Sequence, residues 1–166
     1  MALTEGPRSF GVHSFANLIH SDYRIPSCDY ADLLRATALL TRKAGEVLKA
    51  YRRMVFNVLA HNRDDPPKNF AFLLDDRSRN WILSPAFDLT WSAGPGGEHA
   101  MTVGGEGKVP GRPHFLRLAA ERDVPANDAA AILEQVRAAV ARWPEFAWMA
   151  GVPRSKAQEV GRTLAG

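Results

Sequence analysis

The stretch HNRDDPPKN, residues 61–69, sets two adjacent carboxylates, Asp64 and Asp65, ahead of two prolines, a lysine and an amide, Asn69. Another carboxylate, Asp88, follows in PAFDLT. Moving a phosphoryl group onto a hydroxyl needs a carboxylate to orient that hydroxyl and accept its proton. It also needs oxygen ligands on Mg²⁺ to neutralise the charge on the phosphates. Asp64 has the chemistry for the first task, and Asn69 and Asp88 for the second. Pro66 and Pro67 stiffen the loop between them, which matters because a misplacement of about 1 Å can cost roughly a hundredfold in rate. Asp and Asn also gather at helix ends because they favour turns. On that plainer reading Asp65 is a turn residue and Lys68 a solvated one, so the surroundings have to decide.

Two elements must hold these groups. EVLKAYRRMVFNVLAHN repeats Val47, Leu48, Tyr51, Met54, Val55, Val58 and Leu59 at intervals of three and four, with Lys49, Arg52, Arg53 and Asn57 on the other face, which is an amphipathic helix. Pro66 and Pro67 cannot continue it, and Asp65, standing before a proline, is pushed to extended geometry. FAFLL and WILS, separated by DDRSRN, read as a β-hairpin. A hairpin there folds the chain back, so that Asn69 and Asp88 can face one metal ion.

Upstream, DYADLLRATALLTRK has helical spacing, with Ser27 or Asp29 as N-cap and Gly45 as a break. Residues 1–13 read as an irregular or short extended entry. Downstream, SAGPGGEHAMTVGGEGKVPGRP holds seven glycines and three prolines and reads as a long flexible loop. HFLRLAAER follows, then NDAAAILEQVRAAVARW, capped by Asn127 and stopped at Pro144, then a last helix from about Ser155. The expectation is one domain over residues 1–166, mainly α with one inserted β-hairpin. It divides into a motif block at 46–90, a Gly-rich loop at 91–112 and C-terminal helices at 113–166.

Protein kinases write their catalytic loop as H-R-D-x-x-x-x-N and follow it with the metal-binding Asp of D-F-G. Here Arg63-Asp64 is followed at that spacing by Asn69, and Asp88 comes after one hairpin. The block YRRMVFNVLAHNRDDPPKNFAFLLDDRSRNWILSPAFDLT resembles the C-terminal domain of HipA-like serine/threonine kinases, the toxins of bacterial toxin–antitoxin modules. The flanks HSDYRIPSCDYADLLRATALLTR and AMTVGGEG are also similar to that family, so the likeness covers roughly residues 10 to 145. It implies a protein-kinase-like C-terminal lobe without the N-lobe. Asp64 would be the catalytic aspartate, Asn69 and Asp88 the Mg²⁺ ligands, and Pro66, Pro67, Lys68, Asn69, Phe87 and Asp88 the ATP-binding residues. The implied partners are a protein substrate, in known members of the family an aminoacyl-tRNA synthetase, and a DNA-binding antitoxin through which nucleic acid is met only indirectly. The implied context is bacterial persistence.

Two departures stand out. The family reads D-x-H-x-K-N where this chain has Pro66, which offers neither a side-chain donor nor a backbone N–H. A lost charge-assisted contact of that kind is worth about 1.5–3 kcal/mol, roughly 10- to 150-fold in affinity. There is also no Gly-rich phosphate loop ahead of the motif and no V-A-I-K-type lysine, since the glycine clusters at 94–97 and 104–107 come after Asp88. An N-lobe partner chain or a longer parent is therefore expected, and self-association through the face left uncovered. Two other readings stay open. One is a non-catalytic kinase-fold binding module, and the other is a small-molecule phosphotransferase of the aminoglycoside type, which shares D-x-x-x-x-N.

With 46% hydrophobic and 23% charged residues the chain is globular in composition, and its net charge of +3 permits an anionic partner without requiring one. Cys28 is the only cysteine, which excludes an intrachain disulfide and a CxxC metal site and fits a reducing compartment. The N-terminus lacks signal-peptide character, and no run of 18 apolar residues is present, so a cytoplasmic protein is expected and no membrane partner. The five histidines show no zinc spacing. His61 stands at a helix end, where a cation favours the dipole, and reads as structural. Arg42, Lys43, Lys49, Arg52 and Arg53 read as a solvated face, and Trp143, Phe146 and Trp148 as packing around Pro144. Thr90 and Ser92 would lie in an activation segment, as phosphosites or as plain polar loop residues.

Overall fold

The computed structural model describes residues 10–19, 28–75 and 78–164. The entry at 1–9, Ser27 and part of the hairpin loop lie outside them. Helix α1 (Phe15–Leu18) is one turn, and α2 (Tyr30–Thr41), α3 (Ala44–Leu59), α4 (Arg112–Glu121), α5 (Ala126–Ala141), α6 (Trp143–Met149) and α7 (Arg154–Leu164) make up most of the molecule. The stripe read from the sequence in α3 is buried through Tyr51, Met54, Val55 and Val58. It packs between α2 and α5, while α4 lies on α5 and α6 on α7. Phe15, Tyr30, Phe70, Phe72, Met101 and Phe115 are fully buried and tie helices, sheet and loop into one core.

The hairpin is present as β3 (Ala71–Asp75) and β4 (Trp81–Leu83), with Phe72 opposite Leu83. It is not alone. Strand β1 (Phe10–Ser14) pairs antiparallel with β3, Val12 opposite Leu73, to give a three-stranded sheet in the order β1-β3-β4. A second, parallel pair joins β2 (Cys28–Asp29) to β5 (Met101–Thr102). Among the described residues the molecule is thus mostly helical with two small sheets rather than helical with one hairpin.

Asp29 caps α2 as expected, accepting from the Ala31 N–H at 2.7 Å. Its carboxylate also accepts from Thr102 Oγ1 at 2.6 Å, Gly104 N at 3.2 Å and Gly105 N at 2.8 Å. One side chain therefore starts a helix and pins the Gly-rich segment, which is tied down rather than loose. Gly94, at φ 71°, lies so close to Arg63 that an added Cβ would stand 2.8 Å from the Arg63 Cβ. A glycine is needed there for both conformation and space.

Three local boundaries differ from the sequence reading. Helix α2 closes at Arg42, in the left-handed region at φ 54°, and Gly45 falls inside the first turn of α3. Helix α5 begins at Ala126 behind Pro125, so Asn127 lies in its first turn and is not the cap. Pro144 does not stop α5, which already ends at Ala141. It sits in the first turn of α6, where a missing N–H leaves no bond unmade. Among the described residues no helix is long and apolar enough to cross a membrane.

Candidate functional site

Beyond Leu59 the chain turns at His61, in the left-handed region at φ 51°, and reaches Pro66, which is extended. Pro67–Asn69 then form a single 3₁₀ turn, with the Asn69 N–H donating to Pro66 O at 2.9 Å. The prolines thus set the backbone that aims Asn69. Its side-chain Nδ2 donates to Asp88 Oδ2 at 2.8 Å and lies 3.4 Å from the main-chain oxygen of Asp64. The hairpin returns the chain so that residues 19 apart in sequence touch. Asp88 is itself left-handed, at φ 54°, a conformation that holds in a non-glycine residue only when its surroundings dictate it.

Asn69 is buried, Pro66 and Pro67 are half-buried, and Asp64, Lys68, Phe87 and Asp88 are exposed. Of the residues singled out in the sequence, the structure brings Asn69 against Asp88 and against the Asp64 backbone. Lys68 and Phe87 are surface neighbours in the chain, with no contact that gathers them to that pair.

Asp65 does the opposite of its neighbour. It is fully buried and is no mere turn residue. Its Oδ1 accepts from the Ala100 N–H at 3.0 Å and the Met101 N–H at 3.4 Å, and its Oδ2 accepts a short bond from the Tyr30 hydroxyl. Tyr30 Oη in turn accepts from Asn57 Nδ2 at 2.9 Å, and Asn57 Oδ1 from Asn62 Nδ2 at 3.1 Å. Asn62 Nδ2 also reaches Asp88 O at 3.5 Å. A buried polar chain therefore runs beneath the exposed carboxylates, from Asp65 to the backbone of Asp88. Burial, with the Asp65 carboxylate beside it, pushes the Tyr30 hydroxyl well above its usual range, so it stays protonated and donates.

Helix α3 also holds the end of the hairpin. Glu46 Oε2 accepts from the Leu83 N–H at 3.0 Å, and Arg53 Nη2 donates to Ser84 O at 2.6 Å, its guanidinium lying over the Phe70 ring at 5.8 Å. Arg53 and Asn57 are therefore not members of a solvated face. The signal was available in part: Asn57 falls three residues after Met54 and seven after Ala50, inside the buried stripe, where an amide needs partners. Tyr30 and Glu46 carried no comparable mark.

His61 stands just past the end of α3, and burial, then its closeness to Arg63 and His99, lowers its pKa from the ordinary value, so the fold disfavours its cation. Trp143 does pack the helix junction, its Nε1 donating to Ala157 O at 2.8 Å, but Trp148 is 84% exposed and packs little.

Among the described residues there is no group of three or more His, Cys, Asp or Glu side chains able to hold a metal. What is present is an amide and a carboxylate side by side. That donor set fits Mg²⁺, which uses one or two protein oxygens and completes its shell with phosphate and water. With Asn69 Nδ2 turned to Asp88, its Oδ1 is the atom that would face a metal ion.

The fold is similar to that of HipA of Shewanella oneidensis MR-1, solved in a complex of HipA, HipB and operator DNA, at 16% identity and a TM-score of 0.67. The match covers 91% of this chain and 38% of that one. It shows a shared fold, and this chain spans well under half the length of that protein. No curated protein matches the sequence. Residues 4–143 match the family described as HipA-like C-terminal domain. With most of its length inside that match, and with the neighbour's fold in agreement, the chain belongs to the HipA-like C-terminal domain family.

Proposed function

We propose that this chain is the C-lobe of a HipA-like toxin kinase, moving the γ-phosphoryl group of Mg-ATP to a Ser or Thr hydroxyl of a protein. The observation that carries the reading is the 2.8 Å contact of Asn69 with Asp88, made across a hairpin and beside the Asp64 backbone. The exposed Asp64 carboxylate would orient the acceptor hydroxyl and take its proton as the oxygen bonds to phosphorus, while the bond to the β–γ bridging oxygen breaks and ADP leaves. Mg²⁺, when bound, neutralises charge on the phosphates. Asn69 and Asp88 would hold it, and the buried chain below would keep them in place without reorganisation.

An N-lobe, from another chain or from more of the same one, would complete the ATP site. The neighbour's complex with HipB supports an antitoxin as partner. Pro66, in place of the donor usual at that position, favours a second reading: a non-catalytic domain that keeps the fold to bind an antitoxin or target. Calorimetric titration of Mg-ATP into the chain, beside Asp88→Asn, tests the site. Binding lost in the variant supports the kinase reading. Labelled product from a lobe-complemented assembly would eliminate the binding-module reading. Equal turnover by Asp64→Asn would eliminate Asp64 as the base.

A further inference from the structure

Where α3 ends, the backbone turn at 61–63, the segment 99–110 and helices α5 and α7 enclose a hollow of about 320 Å³. Its polar lining comes from His61, Arg63, His99, Lys108, Arg137 and Thr163, set among apolar side chains, and no carboxylate lines it among the described residues. Two acids stand at its margins. Glu98 meets Lys108 at 3.5 Å on the exposed rim, and buried Asp65 lies 3.4 Å from His99 Nδ1 on the inner side. Neither reaches the arginines in any contact the structure records.

Arg63 donates through Nη1 to Ala93 O at 3.0 Å, yet its Nε is buried without a partner. A guanidinium N–H left unpaired out of water costs free energy. Positive groups gathered around one hollow also repel each other, and the His61 pKa is lowered by burial first and then by Arg63 and His99. An anion in the hollow would relieve that repulsion. A tetrahedral oxyanion with several acceptors suits fork-shaped donors better than a monoatomic one does.

We propose that this hollow is a binding site for a phosphate-class oxyanion, held by Arg63 and Arg137 with His61 and Lys108 at its edge. The group could be free phosphate or a phosphate monoester on a side chain. Occupancy would brace the turn that carries Asp64, because Arg63 O also accepts from the Ala100 N–H at 3.0 Å, joining the turn to the loop that Asp65 holds. The site stands apart from the kinase reading, since it needs neither nucleotide nor metal.

The test is calorimetric titration of inorganic phosphate, and separately of O-phosphoserine, in EDTA and low chloride. EDTA removes any phosphate held through a metal at Asn69 and Asp88. Saturable one-to-one binding is expected. Arg137→Glu, on the exposed face of α5, should weaken it at least about tenfold, and Arg63→Gln by a similar factor. Thermal melting by circular dichroism checks both folds, and if Arg63→Gln does not fold, Arg137→Glu decides alone. Phosphoserine binding as tightly as phosphate identifies an esterified source, while binding of phosphate alone identifies the free ion. Both outcomes uphold the site. No saturation up to about 10 mM of either probe, or unchanged affinity in a folded Arg137→Glu, overturns it.

Discussion

Asp64 and Asp65 are neighbours in sequence and opposites in structure. Asp64 faces water with only its backbone engaged by Asn69, whereas Asp65 is fully buried with two backbone N–H groups and a tyrosine hydroxyl upon it. The same contrast separates the exposed region of Asp64, Phe87 and Asp88 from the buried chain of Tyr30, Asn57, Asn62 and Asp65. An exposed carboxylate keeps hydration and freedom to meet a substrate. A buried one must be fully bonded or it destabilises the fold, and once bonded it holds its neighbours in one arrangement. The lesson is that adjacent identical residues can be placed oppositely, one left open to solvent and the other built into the fold.

Substituting the pair separately is the strongest way to break this comparison. In a lobe-complemented assembly, Asp64→Asn is expected to lower turnover by about 10²–10⁴-fold with little change in Tm. Asp65→Ala is expected to lower stability by about 3 kcal/mol, because it strands the Tyr30 hydroxyl and the Ala100 and Met101 N–H groups, and denaturant unfolding would measure it. Equal melting losses in the two variants would erase the distinction.

Tyr30→Phe sharpens the comparison at smaller scale. It removes the hydroxyl between Asp65 and Asn57, and a loss of about 1–2 kcal/mol is expected. The more informative readout is whether Mg-ATP affinity falls as well, as it should if the buried chain sets the position of Asp88.

The smallest expected effects concern titration. The His61 pKa is held below 6.5 in the fold, so the unfolded chain takes up that proton more readily. Its contribution is whole above pH 6.5 and lost as pH falls through the window from 6.5 down to the folded value. Tm should therefore drop on acidification through that window, and His61→Asn, which tolerates the left-handed backbone, should flatten the slope. Cys28, 6% exposed, has its thiol pushed up to about 12, mainly by burial. Labelling by thiol reagents at pH 8 should be slow until denaturant is added.

Helix α3, its end before the prolines and the hairpin were legible because their signals are local: apolar spacing, a missing N–H, and alternating runs around a polar turn. Asp64, Asn69 and Asp88 were legible as a set because their order and spacing survive in one dimension. Asp65 was not, since its partners lie 35 residues away on either side, at Tyr30 and Ala100. The Gly-rich segment was read as loose for the same reason. Glycine content reports freedom in the unfolded chain, while the restraint comes from Asp29, more than 70 residues upstream.

By itself, then, the sequence determined where α3 and the hairpin form and which side chains carry oxygen at the spacing phosphoryl transfer would use. Helix periodicity, proline geometry and chemical identity are properties of short stretches. Tertiary structure alone decided which of two adjacent aspartates is buried, that β1 completes the sheet, and that five basic or imidazole side chains surround one hollow. Burial and long-range hydrogen bonding depend on chain segments meeting in space, and no local pattern encodes that meeting.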